Sequence, residues 1–275
     1  MDPTDVPLDD VVARLRASGS VFAEDEAAIL VRAAADAGEL ESLVSRRVAG
    51  APLEPLVGRV RFGRLDLEVG PGVFVPRQRS RRLAHLAVRR MRQRVGGEGS
   101  SPAPVMLEPY CGVAPLAATV AASVPRAEVH AADVDAAALA YARRNLPEGA
   151  GVHVADGLAG LPSRLRGRID VIAAVPPYVP GAELELMPRE AREFEPAAAL
   201  VGGGADGLDH VRRIVRDAGS WTAPGGSVLV ELHAAQLVVA ARAARPAGWT
   251  VRIHPPSASR TGVLELVAGS EPIAG

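Results

Sequence analysis

The segment Val175-Pro176-Pro177-Tyr178 carries the most distinctive chemistry in this sequence. It follows the apolar run 169–174, which is typical of a buried strand. The two prolines end that strand and hold the backbone extended. Their carbonyl groups therefore have no ladder partners, and an aromatic ring follows them. This arrangement presents backbone acceptors to a planar amino group, so we predict that an acceptor nitrogen binds here.

Acidic residues follow three other predicted strands. Asp133 lies beyond a glycine-containing loop at a spacing that suits a carboxylate bridging the two hydroxyls of a ribose. Asp156, after the next strand, suits an adenine amino group. The candidates at these strand ends are Glu108, Tyr110, Cys111, Gly112, Ala114, Asp133, Asp156 and Gly157. Together they predict a nucleoside site beside the acceptor segment.

Several of these residues also have an ordinary structural interpretation. Asp133 and Asp135 both suit the cap of the next helix, and we assign the cap to Asp135. Asp156 suits a turn equally well. Cys111 has no adjacent base, which favours a small buried residue over a nucleophile. Tyr110 suits either the wall of a cavity or the core.

The elements that must position these residues alternate between strand and helix from residue 105 onward. Such alternation predicts a parallel sheet with helices on both faces. Ligands of such sheets bind at the carboxyl ends of the strands. The predicted elements are strands at 105–107, 129–132, 152–154, 169–175, 227–232, 249–254 and 263–267, with helices at 115–124, 136–145, 206–221 and 234–244.

Three further segments precede this sheet. Apolar residues at helical spacing predict a helical N-terminal domain over residues 1–50. Alternating residues around Gly63 predict a hairpin within a linker over residues 51–78. The third domain then covers residues 79–275, beginning with a helix at 79–94 and a flexible linker at 96–102.

Composition limits the functional classes. The 275 residues include 48% hydrophobic residues and carry a net charge of −1, so direct nucleic-acid binding is not expected. Cys111 is the only cysteine, which excludes an intrachain disulfide, and no metal motif occurs. Without a signal pattern or a membrane-spanning run, a cytoplasmic protein is expected. The oligomeric state stays open.

Two other features favour structural roles. Eight arginines lie between residues 77 and 94, a cluster that is typical of a solvated helix face and less often of a partner surface. His233 follows the predicted strand 227–232, where a lone histidine is more often structural than a catalytic base.

The motifs resemble those of the class I S-adenosylmethionine-dependent methyltransferases. More narrowly, the chain is similar to the HemK-like protein-(glutamine-N5) methyltransferases that modify release factors, as a paralogue of actinobacterial type. The segments that carry the resemblance are Pro71-Gly72-Val73-Phe74-Val75-Pro76-Arg77, Asp133-Val134-Asp135, Pro176-Pro177-Tyr178, Glu195-Pro196 and Gly204-Ala205-Asp206-Gly207-Leu208. The resemblance implies a seven-stranded, mostly parallel Rossmann-like sheet, S-adenosylmethionine as cofactor and a protein substrate such as a release factor.

The resemblance also implies roles for individual residues. Residues 110–114 would form the cofactor loop, and Glu108 would support the methionine end of the cofactor. Asp133 would hold the ribose, and Asp156 with Gly157 would border the adenine. Residues 175–178 would clamp the target amide.

Two departures from the family pattern put the activity in question. The loop is usually Gly-x-Gly-x-Gly, whereas here Tyr110 and Ala114 flank Gly112. Glycine suits a loop that needs unusual dihedrals and close approach to the cofactor. The acceptor motif usually begins with Asn, Asp or Ser, whereas Val175 has no polar side-chain atom. We therefore expect a methyltransferase with an altered or weakened acceptor site. A methyltransferase of a small-molecule acceptor and a non-catalytic binding protein are the alternatives.

Overall fold

The structure is a computed structural model that describes residues 6–95, 102–256 and 260–269. Apart from Pro102, the linker predicted at 96–102 lies outside the described residues. None of the described helices is both long enough and apolar enough to cross a membrane.

Short helices and a hairpin open the fold. The helices are α1 (Leu8–Ala17), α2 (Ala23–Ala33), α3 (Ala37–Val48) and α4 (Leu53–Val57), and the hairpin is β1 (Arg59–Phe62) and β2 (Leu65–Glu68). The helices share an apolar cluster that includes Leu15, Leu30 and Leu40. Asp36 starts α3 by accepting a hydrogen bond from the Glu39 amide, as an N-cap does. The predicted helices and hairpin are confirmed as elements, while the domain limits at residues 50 and 78 stay a prediction.

Strands and helices then alternate as the sequence predicts. They are α5 (Arg81–Arg94), β3 (Val105–Pro109), α6 (Pro115–Ser123), β4 (Glu128–Asp133), α7 (Ala136–Asn145), β5 (Gly151–Val154), β6 (Ile169–Ala174), α8 (Arg189–Phe194), α9 (Asp209–Asp217), β7 (Thr222–His233), α10 (Ala234–Ala244), β8 (Thr250–His254) and β9 (Thr261–Val267). The central strands β3 and β6 are buried because helices cover both faces of the sheet, whereas the edge strands β5 and β8 are more exposed.

The seven strands form one sheet in the order β5-β4-β3-β6-β7-β9-β8. The pairs from β5 through β7 are parallel, and β9 is antiparallel to both β7 and β8. One apolar cluster packs α5, α6 and α7 against the sheet, and a second packs α9 and α10 against it. This confirms the predicted mostly parallel, Rossmann-like α/β fold.

Some boundaries differ from the prediction. The helix expected at 206–221 is α9, which begins only at Asp209 because Gly207 adopts a left-handed φ of 72°. Near the end of the predicted range, Ala218–Ser220 form a separate 3₁₀ turn. The strand expected at 227–232 is longer, because β7 begins at Thr222 and pairs there with Ile169 across an irregularity in register. The short helix α8 has no counterpart among the predicted elements.

Candidate functional site

A cavity of about 560 Å³ lies at the carboxyl ends of β3, β4 and β6. The candidate residues Glu108, Tyr110, Cys111, Gly112, Asp133, Asp156, Val175, Pro176, Pro177 and Tyr178 all line it. Ala114 does not line the cavity and is completely buried behind it. Gly157 does not line the cavity either and packs against the Tyr110 ring. The parallel strands therefore bring the nucleoside candidates and the acceptor segment to one cavity.

The loop after β3 has the backbone geometry of a glycine-rich loop without the glycines. Tyr110 and Ala114 have φ values of 56° and 62°, and they are the only non-glycine residues with positive φ among those described. Gly112 between them has a φ of 53°. A residue with a Cβ costs about 1–2 kcal/mol in this region. The packing around the loop must therefore impose a conformation that these two residues disfavour.

Asp133 fixes this loop from the end of β4. Its Oδ2 accepts a hydrogen bond from the Gly112 amide at 2.8 Å, and its Oδ1 accepts one from the Asp135 amide at 3.0 Å. Each carboxylate oxygen has two lone pairs, so both oxygens keep the capacity to accept a further hydrogen bond. Asp135 caps α7 by accepting from the Ala137 amide, which confirms the predicted cap.

Glu108 is buried at the end of β3 and faces the start of α6. Its Oε1 accepts a hydrogen bond from the Leu116 amide at 3.2 Å, and its Oε2 accepts one from the Ala117 amide at 2.6 Å. Burial raises the pKa of Glu108 to about 8, although these two N–H groups oppose the rise. Both oxygens therefore serve the helix N-terminus while the side chain lines the cavity.

Asp156 forms an ion pair with Arg213, a residue that no sequence pattern indicated. Arg213 on α9 donates from Nη1 to Oδ2 at 2.6 Å and from Nη2 to Oδ1 at 2.8 Å. Arg213 Nη2 also donates to His210 Nδ1 at 2.8 Å. The His210 ring meets the Tyr110 ring edge-on, with centroids 5.3 Å apart. Arg213 lowers the pKa of Asp156, and its partners Asp156 and His210 both line the cavity.

No sequence pattern pointed to Arg213 and His210. The pair with Asp156 joins residues 57 positions apart in the chain. The only available signal was that α9 has an apolar face that must pack on the sheet, which leaves its polar side chains at the edge of the sheet.

At the other end of the cavity, the acceptor segment has a well-held backbone. Pro176 and Pro177 are buried, and the Val175 side chain is partly exposed. The Tyr178 carbonyl accepts from Gln236 Nε2 at 2.8 Å, and the Tyr178 hydroxyl accepts from Arg79 Nη2 at 3.2 Å. Two hydrogen bonds therefore anchor the segment at Tyr178, whereas the side chain at position 175 offers none.

Arg77 and Arg79 line the cavity, while 29% and 40% of their side chains remain exposed to solvent. Arg77 pairs with Glu195 at 2.5 Å, and Arg79 lies 3.6 Å from Glu231. Burial raises the pKa of both glutamates, although the arginines oppose it. The cluster is thus not a uniform solvated helix face. A third member, Arg90, pairs with a buried carboxylate on β9.

Two remaining candidates have structural surroundings. Cys111 is buried, which raises the pKa of its thiol well above the usual range and disfavours the reactive thiolate. His233 caps α10, where its side chain accepts from the Ala235 amide, and it is not among the residues that line the cavity.

Known methyltransferases are similar to this chain in sequence. Residues 105–205 match the family model described as "Methyltransferase small domain". The release factor glutamine methyltransferase of Deinococcus radiodurans is 33% identical over 258 residues, which cover 91% of this chain and 88% of that protein. The chain belongs to the release factor glutamine methyltransferase family. This confirms the predicted family.

The matches to other members of this family cover a smaller part of each relative's length. The release factor glutamine methyltransferase of Streptomyces coelicolor is 38% identical over 191 residues, covering 69% of this chain and 65% of that protein. The chain thus spans slightly under two thirds of the length of the first curated relatives it matches. A methyltransferase structure from Pyrococcus furiosus has a TM-score of 0.50 at 21% identity, covering 74% of this chain and 89% of that chain, which shows the fold.

The cavity suits the methyl donor of this family, S-adenosylmethionine. Its volume of about 560 Å³ lies in the usual range of ligand pockets, roughly 300–1,000 Å³. Asp133 keeps acceptor capacity for hydroxyl groups, and Tyr110 gives an aromatic wall beside Gly157. Because Tyr110 borders the cavity and leaves this volume open, its bulk does not fill the site.

Proposed function

We propose that the chain transfers a methyl group from S-adenosylmethionine to an acceptor held against Val175, Pro176, Pro177 and Tyr178. The observation that supports this most is the single cavity that joins Asp133 and the loop after β3 to the acceptor segment. A donor and an acceptor bound at its two ends would lie in one continuous space. Methyl transfer depends mainly on such alignment.

Cofactor binding would depend on the loop half of the cavity. Asp133 would accept hydrogen bonds from the ribose hydroxyls while holding the Gly112 amide in place. Glu108 would fix the start of α6 beside the methionine end. Gly157 and Tyr110 would border the base. Bound there, the sulfonium of the cofactor supplies an electrophilic methyl group.

We propose a protein acceptor such as a release factor, in the cytoplasm, since the curated relatives bear that name. A glutamine amide is a poor nucleophile because its lone pair is delocalised. The backbone carbonyls of the acceptor segment would accept hydrogen bonds from its NH₂ group and orient it. Val175 contributes no hydrogen bond to that grip, so the acceptor site is weakened toward amides. One well-placed hydrogen bond is worth about tenfold, so we expect a loss of that order for amide acceptors.

A second candidate is methylation of a different, less polar acceptor. Val175, Met187, Leu200 and Val201 line the acceptor end and give it an apolar wall. An acceptor that needs no side-chain hydrogen bond at position 175 would fit this wall. A non-catalytic binding protein is the remaining alternative, and cofactor binding separates it from both enzymes.

Calorimetric titration of the wild-type chain with S-adenosylmethionine and S-adenosylhomocysteine tests the proposal. We expect saturable binding of both at one site per chain. A labelled-methyl assay with a glutamine-containing release-factor peptide then measures transfer. Absence of binding at about 1 mM ligand, a concentration that detects even weak sites, would contradict the methyltransferase proposal. Binding without transfer to the peptide would favour the second candidate.

A further inference from the structure

We infer that Arg213 makes the base end of this cavity tolerant of the substituent at C6 of the purine, so that 6-amino and 6-oxo nucleosides bind with similar affinity. This inference rests on the proposed cofactor site. It assigns to Arg213, a residue of α9, the role of setting base specificity. It also reverses the sequence expectation that the Asp156 carboxylate reads the adenine amino group.

The hydrogen bonds of Asp156 carry the first step. Both of its carboxylate oxygens accept from Arg213, at 2.6 and 2.8 Å, in a bidentate pair. Such paired bonds fix both the position and the plane of the two groups. The carboxylate thus stays ionised beside a positive charge from α9, and half of its side chain remains exposed.

His210 strengthens this arrangement from the preceding turn of α9. Arg213 Nη2 donates to His210 Nδ1 at 2.8 Å, which requires an unprotonated Nδ1. Burial lowers the pKa of His210, and Arg213 lowers it further, so the neutral ring is favoured. The guanidinium is therefore held by Asp156 and His210 and also interacts with Tyr110, although its side chain is 36% exposed.

Tyr110 completes the wall with a surface that does not read the C6 substituent. A Cβ on Gly157 would lie 2.6 Å from the Tyr110 hydroxyl oxygen, so the ring lies directly against this glycine. The ring also contacts His210 edge-on. Stacking on an aromatic face accepts every base, since each base has a π-face.

The chemistry of the two purines then predicts the selectivity. A free carboxylate accepts a hydrogen bond from a 6-amino group and repels a 6-oxo oxygen. A carboxylate paired with Arg213 keeps a lone pair on each oxygen for the amino group, but the guanidinium N–H groups beside it offer donors to the oxo oxygen, so the preference for the 6-amino group is reduced. A hydrogen bond to a charged group is worth about tenfold or more in affinity, so its absence is measurable.

Calorimetry with S-adenosylhomocysteine and its 6-oxo analogue, in which hypoxanthine replaces adenine, tests the inference. For the wild type we expect dissociation constants that differ by less than tenfold. Arg213→Leu exposes the carboxylate of Asp156 and should increase the preference for the 6-amino ligand by about tenfold or more. Arg216→Leu is the matched control, because Arg216 lies on the same helix but pairs with Asp217 away from the cavity.

The outcomes are distinct. A wild-type preference of tenfold or more for adenine overturns the inference and leaves the proposed methyltransferase intact. An unchanged preference in Arg213→Leu, or an equal change in Arg216→Leu, overturns the assignment to Arg213. If neither nucleoside binds, the proposed function fails and this inference fails with it. If Arg213→Leu does not fold, the wild-type ratio decides alone.

Discussion

The two ends of the cavity depart from the family pattern in opposite ways. In the loop after β3, Tyr110 and Ala114 replace the usual glycines, yet both adopt left-handed backbone dihedrals. In the acceptor segment, the backbone is held by Gln236, but Val175 removes a polar side-chain atom. The loop therefore keeps its geometry at a cost in stability, while the acceptor segment is anchored by hydrogen bonds but has no polar side-chain atom at position 175. A motif lost in sequence is thus not always lost in backbone geometry.

The largest expected effect concerns Asp133, on which the loop half depends. Asp133→Ala should weaken binding of S-adenosylhomocysteine by on the order of 100-fold, because charged hydrogen bonds to the ribose and the brace on Gly112 are both lost. Calorimetry measures the change, with Asp217→Ala as a control acid that does not line the cavity. Unchanged affinity in Asp133→Ala would refute the idea that the loop half is functional.

The acceptor half is tested by restoring its missing polar atom. Val175→Asn should raise methylation of a glutamine peptide by about tenfold, the worth of one well-placed hydrogen bond. The measurement is a labelled-methyl assay at saturating cofactor, with Val175→Leu as an apolar control. No gain with cofactor bound would show that the side chain at position 175 does not limit amide chemistry.

The contribution of Glu108 to the free energy of unfolding should depend on pH. Burial raises the pKa of Glu108 to about 8, above the value of an unfolded glutamate, about 4.3. The folded chain therefore keeps this proton where the unfolded chain has released it. The contribution is complete below about pH 4 and is lost as the pH rises toward 8.

Glu108→Gln removes this titration. Between pH 5 and 7.5, wild-type stability should fall by up to about 1 kcal/mol per pH unit relative to the variant. Denaturant unfolding at several pH values gives both curves. Parallel curves would show that Glu108 stays ionised at the helix N-terminus. The loop half would then have a charged brace.

The smallest effect concerns backbone strain in the loop. Ala114→Gly should increase the free energy of unfolding by up to about 1 kcal/mol, because glycine adopts the left-handed region without steric cost. Ala117→Gly, three residues later inside α6, should instead decrease it by about 1 kcal/mol. Equal losses in both variants would mean that the loop carries no strain, and the contrast between the two ends of the cavity would disappear.

Much of the fold followed from local pattern. The strands β3 and β6 are fully or almost fully buried, so their residues are predominantly apolar and detectable in sequence. Segment 181–199 was not predicted because it has little periodicity of its own. Two long-range pairs hold it, Arg47 with Glu190 and Arg77 with Glu195.

Local pattern was enough to predict that the candidate residues meet at one edge of the sheet, because parallel strands place their carboxyl ends there and each candidate follows a strand. It was also enough to show that the side chain at position 175 offers no hydrogen bond. The glycine-like dihedrals of Tyr110 and Ala114, and the ion pair of Arg213 with Asp156, emerge only from the folded arrangement. Both features depend on contacts between residues that are distant in the chain. The free energy of those contacts outweighs the local backbone preferences, and the contacts do not show in the spacing of residues along the sequence.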